Sequence, residues 1–166
     1  MANDSSTTAH ALAITSSAFT NDAPIPTEFT CDGEDQSPAL QWEEGPDNTQ
    51  SFALIVEDPD APGGTFIHWV LFDIPSTTFG LPQGVPKDPM LSSPVGAKQG
   101  RTSFKAIGYG GPCPPKGKPH HYHFILFALD KKLGLEPGAT RDQVMDAIRG
   151  HELARGELVG TYARKS

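Results

Sequence analysis

Cysteine is scarce in this chain: only Cys31 and Cys113 occur among its 166 residues. Two cysteines are too few for a disulfide framework and too widely spaced for a zinc knuckle. The expectation is a pair of reduced thiols in a cytosolic protein. Both nonetheless lie in turn-rich segments, "FTCDGEDQSP" and "GGPCPP", which the fold is free to bring together. Positive charge is short as well. Lys and Arg number 13 against 20 Asp and Glu, for a formal net charge of −7, and no basic cluster appears. That excludes a general nucleic-acid binder, whose basic face must neutralise phosphates. A small anionic ligand stays open, because a local pocket can oppose the global sign. No apolar run approaches the length of a membrane span. The opening "MANDSSTTAHALAITSSAF" lacks the basic and long apolar regions of a secretory signal. A soluble, cytoplasmic protein without stable membrane insertion is expected, its first ten or so residues frayed.

Glycine and proline are abundant, at 17 and 16 residues. They fall between apolar runs, so they read as the turns of a β-rich fold. The length suits one domain over residues 1–166. "SFALIVEDP" (Ser51 to Pro59), "TFIHWVLFDIP" (Thr65 to Pro75) and "HYHFILFALD" (His121 to Asp130) read as buried strands. Short strands with such punctuation point to an antiparallel sandwich or Greek key. One helix is expected in "TRDQVMDAIRGHEL". Thr140 and Gln143 fit a capping box, Asp142 suits the first turn, and Val144, Met145 and Ile148 form an apolar stripe that extends to Leu153 unless Gly150 ends the helix or splits it into two short turns. "GELVGTYAR" reads as a last strand.

Two stretches stand apart chemically. "DPDAPGGTFIHW" (Asp58 to Trp69) and "GYGGPCPPKGKPHHYHF" (Gly108 to Phe124) each join a Pro/Gly turn to a strand carrying histidine. Pro59 and Pro62 hold Asp58 and Asp60 in a stiff turn, which suits a binding rim because little ordering is left to be done. In the later strand the pleat sends His120, Tyr122 and Phe124 to one face and His121 and His123 to the other. His121 and His123 read as structural, and no third ligand joins them for a metal.

These two stretches, with "FTCDGEDQSPALQW" and "FALD", resemble the phosphatidylethanolamine-binding protein family, and in particular its bacterial and archaeal, Raf-kinase-inhibitor-like branch. The resemblance spans most of the chain. It implies a mainly β, Greek-key fold of two antiparallel sheets with a few short helices. It also implies a small pocket for phosphate-like groups, and no cofactor. The family's first motif falls on Asp58, Asp60 and His68, its second on His120, His121 and Tyr122, beside Gly110, Gly111 and Pro112. His121 departs from the usual arginine. Asp58, His68, His120 and Tyr122 are therefore expected to contact the ligand, with Gly110 and Gly111 offering backbone N–H groups. Asp60, Pro62 and Pro112 are expected to shape the rim.

A bare carboxylate repels phosphate, so Asp58 is expected to orient or charge His68 or His120 and thereby supply a donor. Affinity should then fall as pH rises, and sit on the order of micromolar to millimolar. The expected function is non-enzymatic binding of a phosphomonoester, phospholipid headgroup or phosphorylated partner. The resemblance extends to regulation of a kinase or serine protease and to a homodimer. Two alternatives stand beside it. One is a hydrolase using Cys113 with His120. The other is an interaction or inhibitor module whose pocket is vestigial.

Overall fold

The computed structural model describes residues 10–164, and the expectation of a frayed start falls on residues outside that range. Ten strands are present among the described residues: β1 (His10–Ala11), β2 (Ile14–Thr15), β3 (Ala23–Pro24), β4 (Leu40–Trp42), β5 (Ser51–Asp58), β6 (Phe66–Pro75), β7 (Gly80–Leu81), β8 (Lys98–Gln99), β9 (His120–Leu129) and β10 (Glu152–Tyr162). A 3-10 turn spans Thr27–Phe29, and the helix α1 spans Arg141–Ile148. The large sheet runs β1-β10-β9-β5-β6-β8, with β3 also on β10, and a small sheet runs β2-β4-β7. This is the mainly β, two-sheet architecture that the turn punctuation implied. It is not wholly antiparallel, because the short β1 and β3 both lie parallel to β10.

The central strands explain the long apolar runs. Every residue of β5 from Ser51 to Val56 is buried, because both faces of the large sheet are covered. On one face Phe52, Leu54, Val56, Trp69, Leu71, Phe124 and Leu126 pack against Leu40, Trp42 and Leu81 of the small sheet. On the other, Ala53, Ile55, Val70, Phe72, Phe127 and Leu129 pack under Val144 and Ile148 of α1. The helix opens on the expected capping box: Thr140 accepts from the Gln143 backbone, and the Gln143 side chain accepts from Thr140 N–H. It is shorter than the apolar stripe suggested. Gly150, at φ 83°, turns the chain, and Leu153 lies in β10.

The cysteines overturn the expectation of reduced thiols. Cys31 and Cys113 form a disulfide, with Cα atoms 5.4 Å apart across a sequence separation of 82. Such bonds persist in oxidising surroundings and are uncommon in mesophile cytosol, which bears on the expected cytoplasmic setting. No helix among the described residues is long and apolar enough to cross a membrane.

Candidate functional site

The strand register decides what meets at one end of the large sheet. Val56 faces Phe124 and Glu57 faces His123 across β5 and β9, so Asp58, one step further, ends its strand beside the start of β9. On the other side Asp58 faces Phe66 of β6. Val56 pairs with Trp69 but Glu57 pairs with Ile67, leaving His68 as an extra residue. This is a β-bulge, which bends a strand and re-aims a side chain. The result is a cavity of about 190 Å³ lined by Asp58, Pro62, Phe66, His68, His120 and Tyr122, closed by Ala61, Phe104 and the run Cys113 to Pro115.

The polar groups are arranged around one ion pair. Asp58, 3% exposed, accepts from His120 Nδ1 at 2.7 Å through Oδ2. Its Oδ1 accepts the Asp60 backbone N–H at 2.8 Å. The carboxylate thus orients His120, one of the two histidines it was expected to serve. With Nδ1 committed, His120 can offer only Nε2 to a ligand, as a donor when the ring is charged.

His68 is held differently. Its Nδ1 lies 2.7 Å from the Gly110 carbonyl, and its own carbonyl accepts the Gly110 N–H at 2.9 Å. A carbonyl can only accept, so Nδ1 carries the proton. Burial pushes the His68 pKa below its ordinary 6.5, against smaller opposing effects of the Gly110 carbonyl and the Asp58 charge. A neutral His68 leaves Nε2 as a lone pair. The consequence for stability has a definite sign. The unfolded chain takes up a proton at about 6.5 and the native ring only lower down, so stability is full above pH 6.5 and declines as pH falls below it. Urea midpoints measured from neutral to mildly acid pH should show this decline in the wild type. His68→Phe should flatten it, and an unchanged slope would refute the assignment.

Tyr122 is the most telling group. It is 1% exposed, and its hydroxyl is buried without a hydrogen-bond partner among the described residues. Burial, followed by the Asp58, Asp60 and Tyr162 charges, raises its pKa well above the ordinary tyrosine range. It therefore stays a phenol with a proton to give. A buried, unpaired hydroxyl costs roughly 1–3 kcal/mol, which a ligand atom in the cavity would recover. Edge-on contact with His68, at 5.2 Å, fixes the Tyr122 ring.

The glycines do not play the part expected of them. Gly110 N–H donates to the His68 carbonyl, and Gly111 N–H donates to Asp35 Oδ1 at 2.7 Å. Neither is spare for a ligand. Their lack of side chains serves packing: a Cβ on Gly110 would collide with the Phe104 ring, and one on Gly111 with the Phe29 carbonyl. Pro112 is buried behind the wall, where its carbonyl accepts from Cys31 N–H. Pro114 and Pro115 supply the rim there instead, alongside Pro62. Asp60 also stays off the cavity lining. Its Oδ2 accepts from His121 backbone N–H and lies 2.8 Å from His121 Nδ1, stapling the β5–β6 turn to β9. That contact lowers the Asp60 pKa, and it gives His121 a partner where arginine is usual. His123 pairs with Glu157 on the same outer face.

Phe104 had no signal beyond an aromatic in a polar turn, "TSFK". It stands 43% exposed, edge-on to Phe66 at 4.7 Å and to His68 at 5.4 Å. Trp69, by contrast, belongs wholly to the core, with Nε1 donating to Gln99 Oε1. The thiol-hydrolase alternative is overturned. Cys113 does share the cavity with His120, but its sulfur is spent in the disulfide.

Comparisons with known proteins bear on the whole chain. The family model described as phosphatidylethanolamine-binding protein matches residues 15–163. A UPF0098 protein of Pyrococcus horikoshii is 49% identical over 151 residues, covering 90% of this chain and 76% of that protein. One of Aquifex aeolicus is 50% identical over 151 residues, covering 90% of this chain and 86% of its own length. Among solved structures, Escherichia coli YbcL, described as a new member of the mammalian PEBP family, matches with TM-score 0.86 at 35% identity, covering 93% of this chain and 99% of YbcL. A putative PEBP homolog from Chlamydia trachomatis matches with TM-score 0.84 at 37% identity, covering 94% of this chain and 99% of that one.

Proposed function

This chain belongs to the phosphatidylethanolamine-binding protein family, and on that premise we propose that its cavity binds a small phosphoryl-type anion without chemical turnover. The observation that carries the proposal is the unpartnered Tyr122 hydroxyl, buried in the same cavity as the Asp58–His120 pair. A phosphoryl oxygen accepts from the Tyr122 hydroxyl, and His120 turns Nε2 toward the same group. Asp58 holds Nδ1 of that ring and fixes its orientation. The neutral His68 accepts from a phosphoryl hydroxyl. Among the described residues no lysine or arginine lines the cavity, so an anion there relies on the Tyr122 hydroxyl and the Asp58-held His120 ring. The volume supports a small group, because cavities for drug-sized ligands run to about 300–1,000 Å³. Phe66, Phe104 and the prolines give the cavity apolar walls around its polar floor, and a low local dielectric strengthens hydrogen bonds made there.

Calorimetric titration with inorganic phosphate, O-phosphoethanolamine and a phosphoserine peptide tests this and separates its sources. Each good hydrogen bond to a charged oxygen is worth about 1.5–3 kcal/mol. Tyr122→Phe should therefore weaken phosphate about ten- to a hundred-fold while leaving the free protein as stable or slightly more so. A merely structural tyrosine would behave the other way, losing stability and no affinity. Heat signals absent for every phosphoryl compound would end the proposal.

A further inference from the structure

The cavity wall contributed by the Gly108–Pro119 arch is attached in two unequal halves. The front half is pinned by hydrogen bonds: Tyr109 Oη donates to the Phe29 carbonyl at 2.7 Å, Gly111 N–H to Asp35, and Cys31 N–H to the Pro112 carbonyl. From Cys113 to Pro119 no hydrogen bond holds the arch to the rest of the protein among the described residues, apart from a single bridge between Lys116 and Arg164. What anchors this half is the Cys31–Cys113 disulfide. Cys113, Pro114 and Pro115 are also the arch residues that line the cavity. Cys113 is exposed to solvent, and Cys31 is only partly covered.

We propose that the Cys31–Cys113 bond is a redox latch on the binding cavity, so that reduction by a dithiol releases the rear of the arch and weakens ligand binding. The affinity part of this proposal rests on the phosphoryl-binding reading. The chemistry is ordinary exchange. A thiolate of the dithiol attacks the sulfur of Cys113, the more exposed residue of the pair, the Sγ–Sγ bond breaks, and Cys31 leaves as a thiolate. The second thiol of the reductant then displaces Cys113 and closes as a cyclic disulfide. The dithiol gives up two electrons and the protein gains two thiols. Exposed disulfides are the ones open to such attack. With the latch open, the front half keeps its hydrogen bonds, so His68 stays fixed through Gly110. Pro114 and Pro115 lose their tether, and with them goes the ordering done before the ligand arrives.

Lys116 makes the loosening measurable without any ligand, because it is exposed and followed by Gly117 within the arch. Limited trypsin digestion of the oxidised protein should spare this bond. After dithiothreitol treatment, or in the Cys31→Ser/Cys113→Ser variant, cleavage there should speed up by about ten-fold or more. Circular dichroism checks that the variant is folded; if it is not, reduced wild type supplies the comparison. Phosphate affinity should fall about ten-fold on reduction and return on reoxidation. Cleavage at Lys116 that ignores the redox state overturns the latch. So does accelerated cleavage with unchanged phosphate affinity. If neither form binds phosphate, the phosphoryl reading fails, and ring-proton NMR of His120 and Tyr122 judges the latch alone. Resonances displaced by reduction support it, and identical spectra overturn it.

Discussion

With Asp58 replaced by alanine, phosphate affinity is expected to fall about a hundred-fold, the largest loss from any single change in the cavity. Two effects combine. His120 loses the carboxylate at 2.7 Å that orients it, so Nε2 is no longer held toward the ligand. The Asp60 backbone N–H loses its acceptor, which slackens the turn carrying Pro62. Stability should drop by about 1.5–3 kcal/mol, since a hydrogen bond to a charged acceptor is removed from a buried site. Asp58→Asn separates the two effects. It keeps an oxygen for Asp60 N–H but no charge for His120, so most of the stability should return while the affinity stays low. Titration calorimetry and urea unfolding on both variants read this directly. Asp58→Asn binding like the wild type would show that the carboxylate charge beside His120 is irrelevant.

Gly111→Ala is the change expected to cost most in stability. The new Cβ would lie on the Phe29 carbonyl oxygen, 2.6 Å from Asp35 Oδ1 and 3.0 Å from Thr30 Cα. Two of those neighbours are backbone and cannot swing aside. The arch must lift away from the Phe29–Asp35 loop, breaking the Gly111–Asp35 bond and loading the disulfide next to it. Overpacking of this kind costs about 1–3 kcal/mol, and the lost charged hydrogen bond about as much again. A melting temperature about 10 °C lower follows for a chain of this size. Gly117→Ala, in the same arch with nothing within 4 Å of the added methyl, should cost far less despite its φ of 137°. Equal melting points for the two variants would contradict the steric account.

Much of this molecule is legible in its sequence, for reasons that can be named. The strands β5, β6 and β9 announce themselves because each is an apolar run stopped by turn chemistry, and a sheet covered on both faces needs such runs. The pleat correctly separates His120 and Tyr122 from His121 and His123. The end of α1 stays open in the sequence because Leu153 fits both helical spacing and the alternation of a strand, and the turn at Gly150 settles it. Two features have no local signature. The bulge at His68 is a property of pairing between strands, and the disulfide joins residues 82 apart whose proximity only the fold decides. The glycines mislead for a different reason. Small residues permit close approach, but sequence does not say whether the visitor is a ligand or the protein's own Phe104 ring and Phe29 carbonyl.

The parallel strands β1 and β3 have a bearing on how copies of this protein can meet. Along the outer side of β10, the Arg155 carbonyl accepts from Leu12, the Val159 carbonyl from Asp22, and the Thr161 carbonyl from Ile25, while Val159 N–H is capped by Asn21. The margin that would recruit a foreign strand is already occupied by the chain's own N-terminal stretch, a safeguard against fibril-like stacking. Two molecules therefore cannot join their large sheets by pairing β10 with β10. A symmetric pair on this side would meet at the short β1 and β3 and the side chains around them, where surface substitution would tune its persistence.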